Sequence, residues 1–108
     1  MAVNVSQISA VSYYFARYIQ EVLEVPVGIV VSTWGGSRIE AWMSRESIKP
    51  FSSIDLSILD NDAEVKNPTV TPCVLYNGKI APLTNFAVRG FLWYQGESNR
   101  DNADLYQS

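Results

Sequence analysis

Two runs of apolar residues, each followed at once by a polar cluster that contains glycine, constrain the fold of this chain more than any other feature. The first run covers residues 27–31 (VGIVV) and leads into TWGGSRIEAW, residues 33–42. The second covers residues 88–95 (VRGFLWYQ) and leads into GESN, residues 96–99. Apolar runs that do not alternate with polar residues are typical of parallel strands covered on both faces. The sequence therefore predicts an α/β fold in which both polar clusters lie at the carboxyl edge of a parallel sheet.

A helix is predicted over residues 9–24, before the first of these runs. Its apolar residues recur at intervals of four along two neighbouring rows, which gives a wide apolar stripe. Ser9 is the predicted N-cap, and Pro26 stops the helix just beyond its end. Between the two runs, residues 55–68 are acidic and rich in turn formers, which predicts a surface excursion. A short helical turn is predicted for residues 75–83.

Composition excludes several classes of function. The 108 residues correspond to one small domain, and the net charge of −3 gives no basic face for nucleic acid. No stretch of about 18 apolar residues is present, so no membrane-spanning helix is predicted. Cys73 is the single cysteine, which excludes an internal disulfide and a cysteine-rich metal site. Histidine is absent, so the commonest general base and metal ligand is missing.

The first polar cluster has two interpretations. Gly35 and Gly36 allow positive φ or close backbone approach, and N–H groups at such a turn suit an anion or a developing oxyanion. Ser37 and Glu40 have the S-x-x-E spacing of a capping box, which predicts a short helix opening at Arg38. The alternative is a tight strand-to-helix turn with a capped helix and no further role. Neither nucleotide-binding glycine pattern is present, so a phosphate loop is disfavoured.

The second polar cluster is equally open to two interpretations. Gln95 has a side-chain amide that can donate hydrogen bonds, and Glu97 can accept one or orient a base. The alternative is structural: Gly96 permits a turn, and Ser98 or Asn99 caps the helix that follows.

Four segments, in this order, resemble the sialate O-acetylesterases, a branch of the SGNH hydrolases: SAVSYYFARYIQEVLEVPVGIV, TWGGSRIEAW, LYNGKIAPL and FLWYQGESN. The resemblance covers almost the whole chain apart from the stretch around residues 50–68. It implies a flavodoxin-like, three-layer α/β/α fold with parallel strands. It also implies serine-hydrolase chemistry that removes O-acetyl groups from sialic acids or related sugars. We assign no cofactor and no metal to this chain.

The resemblance assigns roles to the residues of both clusters. Gly35 or Gly36 would contribute a backbone N–H to an oxyanion hole, and the Gln95 side chain would be another donor of that hole. Glu97 and Asn99 would support the loop or the cleft.

The chain also departs from the family's pattern. The G-x-S-type turn that carries the nucleophile and the Asp-x-x-His block are both missing. We therefore expect residues 1–108 to be a single partial SGNH hydrolase domain, an internal fragment of a longer enzyme that is periplasmic or extracellular. A sheet fragment leaves unpaired edges, so we expect a homo-oligomer or association with the rest of the parent enzyme.

A function from a different class is a non-catalytic carbohydrate-binding or assembly module. Three tryptophans and six tyrosines would then supply stacking surfaces for sugars. Trp34 and Trp42 are predicted to pack, although an aromatic side chain at a cleft edge, such as Trp34, would also line a sugar-binding site.

The missing nucleophile and base lead to a first prediction. The purified chain shows no measurable turnover of p-nitrophenyl acetate, because loss of a serine hydrolase's nucleophile or base costs about 10⁶-fold in kcat. A rate that Gln95→Ala abolishes would contradict this expectation.

Overall fold

The computed structural model describes residues 8–61 and 64–106, and the chain divides into two compact units. The N-terminal unit is Met1–Thr33 and the C-terminal unit is Trp34–Ser108. Both polar clusters, from Trp34 onwards, belong to the C-terminal unit, so the candidate site can be described within that unit alone.

The N-terminal unit contains helix α1, Ala10–Leu23, and this helix confirms the prediction for residues 9–24. Ser9 occupies the N-cap position as predicted, but its hydroxyl makes no capping hydrogen bond. The helix ends where Glu24 adopts a left-handed conformation with φ of 53° and donates its N–H to the Gln20 carbonyl at 2.9 Å. An exposed ion pair between Arg17 and Glu21 (2.8 Å) follows the i, i+4 spacing that suits a helix surface.

Most of the apolar stripe of α1 remains exposed within the described residues. Ala16 is the one residue of the helix that is buried, whereas Tyr14 and Tyr18 are 68% and 64% exposed. On another side of the helix, a groove of about 220 Å³ is lined by helix residues together with Val27 and Ile29. The segment after the helix therefore returns along a face that the apolar pattern did not single out.

The C-terminal unit is built from short helices. α2 is Ile39–Trp42 and α3 is Arg45–Ile48, and the other helices are a 3₁₀ helix at Ser57–Leu59, a π-helix at Tyr76–Ile80, and 3₁₀ helices at Ala81–Leu83 and Glu97–Tyr106. The last of these is interrupted at Asn102, where φ and ψ are not helical. The π-helix and the 3₁₀ helix after it confirm the helical turn predicted for residues 75–83.

The core of the C-terminal unit lies between α2, α3 and the residues that lead into the π-helix. Its buried apolar side chains are Ala41, Ile48, Cys73 and Leu75. Two backbone hydrogen bonds attach α2 to the segment at residues 69–73: Arg38 N–H donates to the Thr69 carbonyl (2.8 Å), and Cys73 N–H donates to the Glu40 carbonyl (2.9 Å). These two bonds fix the beginning of α2 against this segment.

The prediction of two strands was wrong. No strand occurs within residues 8–61 and 64–106, and the runs at 27–31 and 88–95 lie outside every helix as well. A strand requires a neighbouring strand to take up its backbone hydrogen bonds, and an apolar run without such a partner has no ladder to join. Several side chains of these runs are accordingly exposed, including Val30 at 59% and Phe91 at 90%.

The excursion predicted for residues 55–68 is confirmed as a surface segment. None of its described residues is buried. It is attached to α3 by an ion pair between Arg45 and Asp60. No helix in the described part of the chain is long and apolar enough to cross a membrane.

The position of Ile48 in the core leads to a stability prediction. Ile48 is fully buried, so Ile48→Ala should lower the free energy of unfolding by about 2–5 kcal/mol through lost burial and an unfilled cavity. Urea titration measures the change, with Val70→Ala as the control because Val70 is 40% exposed in the same unit. Equal losses for the two variants would show that Ile48 does not anchor this core.

Candidate functional site

The structure brings the two polar clusters into direct contact. We define the glycine turn as residues 34–37 and the amide segment as residues 95–99. The Gln95 Nε2 group donates to the Ser37 carbonyl at 3.0 Å, which joins the amide segment to the glycine turn across a separation of 58 residues. The sequence-based expectation that these clusters meet therefore agrees with the contacts, although no sheet brings them together in the described residues.

Glycine is required at one position of each segment. Gly36 has φ of +70° and Gly96 has φ of +152°, and residues with a Cβ rarely adopt such values. No atom lies within 4 Å of where a Cβ would be at either position, so backbone conformation rather than close packing accounts for the glycine. Gly35 and Gly36 are both exposed, which leaves that face of the turn open to a ligand.

Ser37 does not form the predicted capping box with Glu40, and this prediction was wrong. The Ser37 hydroxyl donates to the Trp34 carbonyl at 2.7 Å and accepts from the Trp42 indole N–H at 2.8 Å. Both bonds close the glycine turn upon itself and onto α2. The hydroxyl is therefore engaged with the turn instead of the helix N-terminus, and Arg38, not Ser37, occupies the N-cap position.

Asn99 performs the capping that the sequence assigned to Ser37. Its Oδ1 atom accepts from the Ile39 N–H at 2.8 Å, so the first residue of α2 donates to a side chain 60 positions away. The alternative in which Asn99 caps the helix that follows it was wrong for its side chain. Its backbone N–H instead donates to the Gly96 carbonyl at 2.9 Å and closes the turn of the amide segment.

The Asn99 side chain is the centre of a buried polar network. Besides Ile39, its Oδ1 atom accepts from Gln95 Nε2 at 2.8 Å, and its Nδ2 atom donates to Glu40 Oε2 at 2.9 Å. Asn99 is 2% exposed and Glu40 is 7% exposed. A buried carboxylate without hydrogen bonds costs several kcal/mol, so this bond is needed to keep Glu40 inside the unit.

Gln95 uses its amide nitrogen for two acceptors, Ser37 O and Asn99 Oδ1. A primary amide carries two hydrogens, so both are engaged in this structure. Donation to a ligand oxygen therefore requires Gln95 to exchange one of these acceptors for that oxygen. Ser37 O is the longer of the two contacts, at 3.0 Å against 2.8 Å, and its residue directly follows the exposed Gly36.

The remaining predicted site residues lie at the exposed side of the clusters. Trp34 is 48% exposed, and the Lys79 ammonium group lies 5.6 Å from the centre of its ring, a cation–π arrangement. Glu97 is exposed at the start of the last 3₁₀ helix, and its side chain makes no hydrogen bond or ion pair with another residue described in the structure. Its supporting role remains a prediction.

Glu40 is the site residue whose role sequence reasoning missed. Its spacing from Ser37 suggested a local cap, and no local signal connects it to a residue in the other cluster. An acidic residue between the apolar Ile39 and Ala41 was the available indication, since a buried carboxylate requires a polar partner. No group of three or more potential metal-binding side chains occurs within the described ranges.

Comparison with known proteins identifies the family. The family model described as carbohydrate esterase, sialic acid-specific acetylesterase, matches residues 2–108. The chain belongs to this family. The resemblance seen in the four sequence segments is thereby confirmed, and the family's place in the SGNH hydrolase superfamily is consistent with the predicted α/β class.

Curated members of the acetylesterase family align with most of the chain. The chain is 41% identical to the sialate O-acetylesterase of Homo sapiens over 99 residues, which is 91% of this chain and 18% of the human protein. It is 34% identical to the sialate O-acetylesterase of Mus musculus over 132 residues, covering 95% of this chain and 24% of the mouse protein. The chain thus spans about a fifth of the length of these relatives.

In this member of the acetylesterase family, Cys73 is bonded to a residue of the first polar cluster. Its backbone N–H donates to the Glu40 carbonyl, and its thiol is fully buried. Burial raises the pKa of the Cys73 thiol above its ordinary value of 9.0, and the positive charge of Arg45 opposes this shift. Cys73 also has φ of 63°, so a left-handed backbone conformation occurs directly where the chain turns towards the π-helix.

The raised pKa of Cys73 leads to a prediction about alkaline pH. The folded state holds the thiol proton more tightly than the unfolded state, so its contribution to stability is complete below pH 9.0 and is lost as the pH rises through the folded-state pKa. We expect the free energy of unfolding to fall more steeply above pH 9.0 in the native chain than in Cys73→Ala. Urea titrations at neutral and alkaline pH measure both slopes, and equal slopes would contradict the assignment.

Proposed function

We propose that this chain contributes the oxyanion-binding part of a carbohydrate esterase that removes O-acetyl groups from sialic acids or related sugars. The observation that carries the proposal is the contact between Gln95 Nε2 and the glycine turn. This contact joins a side-chain amide donor to the turn that contains the exposed residues Gly35 and Gly36, and ester hydrolysis needs converging donors where negative charge develops on the carbonyl oxygen.

Gly35 or Gly36 supplies the backbone donor in this proposal, and Gln95 supplies the side-chain donor. As the ester carbonyl becomes tetrahedral, its oxygen takes the place of Ser37 O as an acceptor for one Gln95 amide hydrogen. The other hydrogen stays on Asn99 Oδ1, so Gln95 remains oriented during the exchange. Asn99 and Glu97 support the amide segment.

The nucleophilic serine and its base are supplied by polypeptide outside this chain. Family membership and the match to a fifth of longer relatives support residues 1–108 as part of a single SGNH hydrolase domain with a flavodoxin-like, three-layer α/β/α fold. Pairing with the remainder of such a domain would give the runs at 27–31 and 88–95 the neighbours that strands need.

The sugar ring is bound, in this proposal, on the exposed side of the glycine turn. Trp34 offers an aromatic face next to Gly35, and Lys79 lies over that same ring. An aromatic face packs against the apolar faces of a sugar, while an ammonium group favours a substrate with a carboxylate. Sialic acids combine both features.

A segment exchange tests the proposal. The matching segment of the human relative is replaced by this chain, and hydrolysis of an O-acetylated sialic acid is measured. We expect the chimera to be active and Gln95→Ala in it to lower kcat by roughly 10²–10³, the loss found when one oxyanion donor is removed. Gln20→Ala, an exposed glutamine on α1, is the matched control and should leave kcat unchanged.

Two results would count against the proposal. One is an active chimera in which Gln95→Ala turns over substrate at the unchanged rate. The other is a folded chimera without turnover while the chain alone binds the sugar and loses that binding on Tyr94→Ala, where Tyr94 is 80% exposed. The second result would favour the carbohydrate-binding module instead.

A further inference from the structure

We infer that Glu40 is a positioning residue: together with the Ile39 N–H, its carboxylate fixes the Asn99 amide so that Gln95 turns its NH₂ group, and not its carbonyl oxygen, towards the glycine turn. The inference concerns a residue that neither cluster motif assigned to the site. Its consequence for turnover rests on the proposed function, whereas its consequence for the orientation of the amide does not.

The first step is the orientation of the Asn99 side chain. A carboxylate offers only hydrogen-bond acceptors, so the Asn99 atom that faces Glu40 Oε2 must be the donor Nδ2. The opposite end of the amide faces the Ile39 backbone N–H, which can only donate, so that end must be Oδ1. Glu40 and the Ile39 N–H thus fix the same orientation of Asn99 from its two ends.

The second step is the orientation of Gln95. Its side-chain terminus contacts two oxygens, Asn99 Oδ1 and Ser37 O, and neither can donate. The Gln95 carbonyl oxygen in that position would face two acceptors without a proton between them. The amide must therefore present Nε2, which is the atom that an oxyanion requires.

The third step is burial, which gives the network its selectivity. Glu40 and Asn99 are almost completely removed from water, so solvent cannot compensate for a mismatched pair. The Glu40 backbone is itself anchored by the Cys73 N–H at 2.9 Å, which keeps the carboxylate from moving away. A wrong orientation at Asn99 would leave buried donors and acceptors unpaired.

Substitutions that remove or exchange the acceptor test the inference. Glu40→Met removes the acceptor at similar size, whereas Glu40→Gln keeps an oxygen that can accept from Asn99. The pair Glu40→Gln with Asn99→Asp reverses the bond, because the new amide donates to the new carboxylate, which still accepts from Ile39 and Gln95. Asn99→Asp alone places two carboxylates against each other.

The readouts are the side-chain NH₂ signals of Gln95 in NMR spectra of this chain, and kcat and KM of the chimera. Glu40→Met and Asn99→Asp should displace or broaden the Gln95 signals and lower kcat by roughly tenfold to a hundredfold with little change in KM. Glu40→Gln should retain both properties. The double variant should recover at least about tenfold in kcat relative to Asn99→Asp, the size expected of a coupled pair.

The outcomes separate this inference from the proposed function. Unaltered Gln95 signals and kcat in Glu40→Met, in a chimera that Gln95→Ala inactivates, would overturn the role of Glu40 alone. Unaltered kcat in Gln95→Ala would overturn the proposed function, and the NMR signals would still decide the orientation. If Asn99→Asp does not fold, Glu40→Met decides, although it leaves the buried Asn99 Nδ2 donor unpaired at a cost in stability. If neither folds, the double variant decides, because it keeps an acceptor for every donor, and Gln95 signals displaced from their native positions in the folded double variant would overturn the inference.

Discussion

The organisation of the C-terminal unit depends on the hydrogen bonds of one buried amide, the side chain of Asn99. Its Oδ1 atom accepts from the Ile39 N–H at the start of α2 and from Gln95 Nε2, and its Nδ2 atom donates to the Glu40 carboxylate. Each of these partners would carry a cost if left unpaired inside the unit. The same contacts that stabilise the fold also determine the placement of the glycine turn relative to the amide segment.

Because these contacts serve both the fold and the candidate site, some residues of the two clusters are buried and others are exposed. Ser37, Glu40 and Asn99 are buried and bonded to one another or to backbone, while Gly35, Gly36 and Trp34 are open to solvent. Gln95 lies at the boundary between the two groups: it is intermediate in exposure, and its amide nitrogen donates to two members of the buried group, Ser37 and Asn99. A side chain at such a boundary can be held by the interior and still reach a bound molecule.

Sequence reasoning succeeded where the determining interactions are local and failed where they are not. Helix α1 followed from its apolar periodicity and from Pro26, and the helical turn at residues 75–83 was also anticipated. The capping box failed because residue spacing around Ser37 contains no information about Asn99, which competes for the same helix end. The strands at 27–31 and 88–95 failed because apolar patterning indicates burial in a sheet but does not supply the neighbouring strands. The sequence predicted that the two clusters meet, but the hydrogen bond between Glu40 and Asn99 could be found only from the structure.

The cap on α2 also affects the order in which the chain can acquire structure. A helix of four residues has no independent stability in water, since nucleation is unfavourable at this length. Its capping partner lies 60 residues away, so the entropy of closing a long loop must be overcome before the first turn of α2 is secured. Backbone amides of α2 and of the amide segment should consequently exchange their hydrogens as one cooperative group. Local opening of one cluster then opens the other, so the folded conformations of the two clusters have the same lifetime.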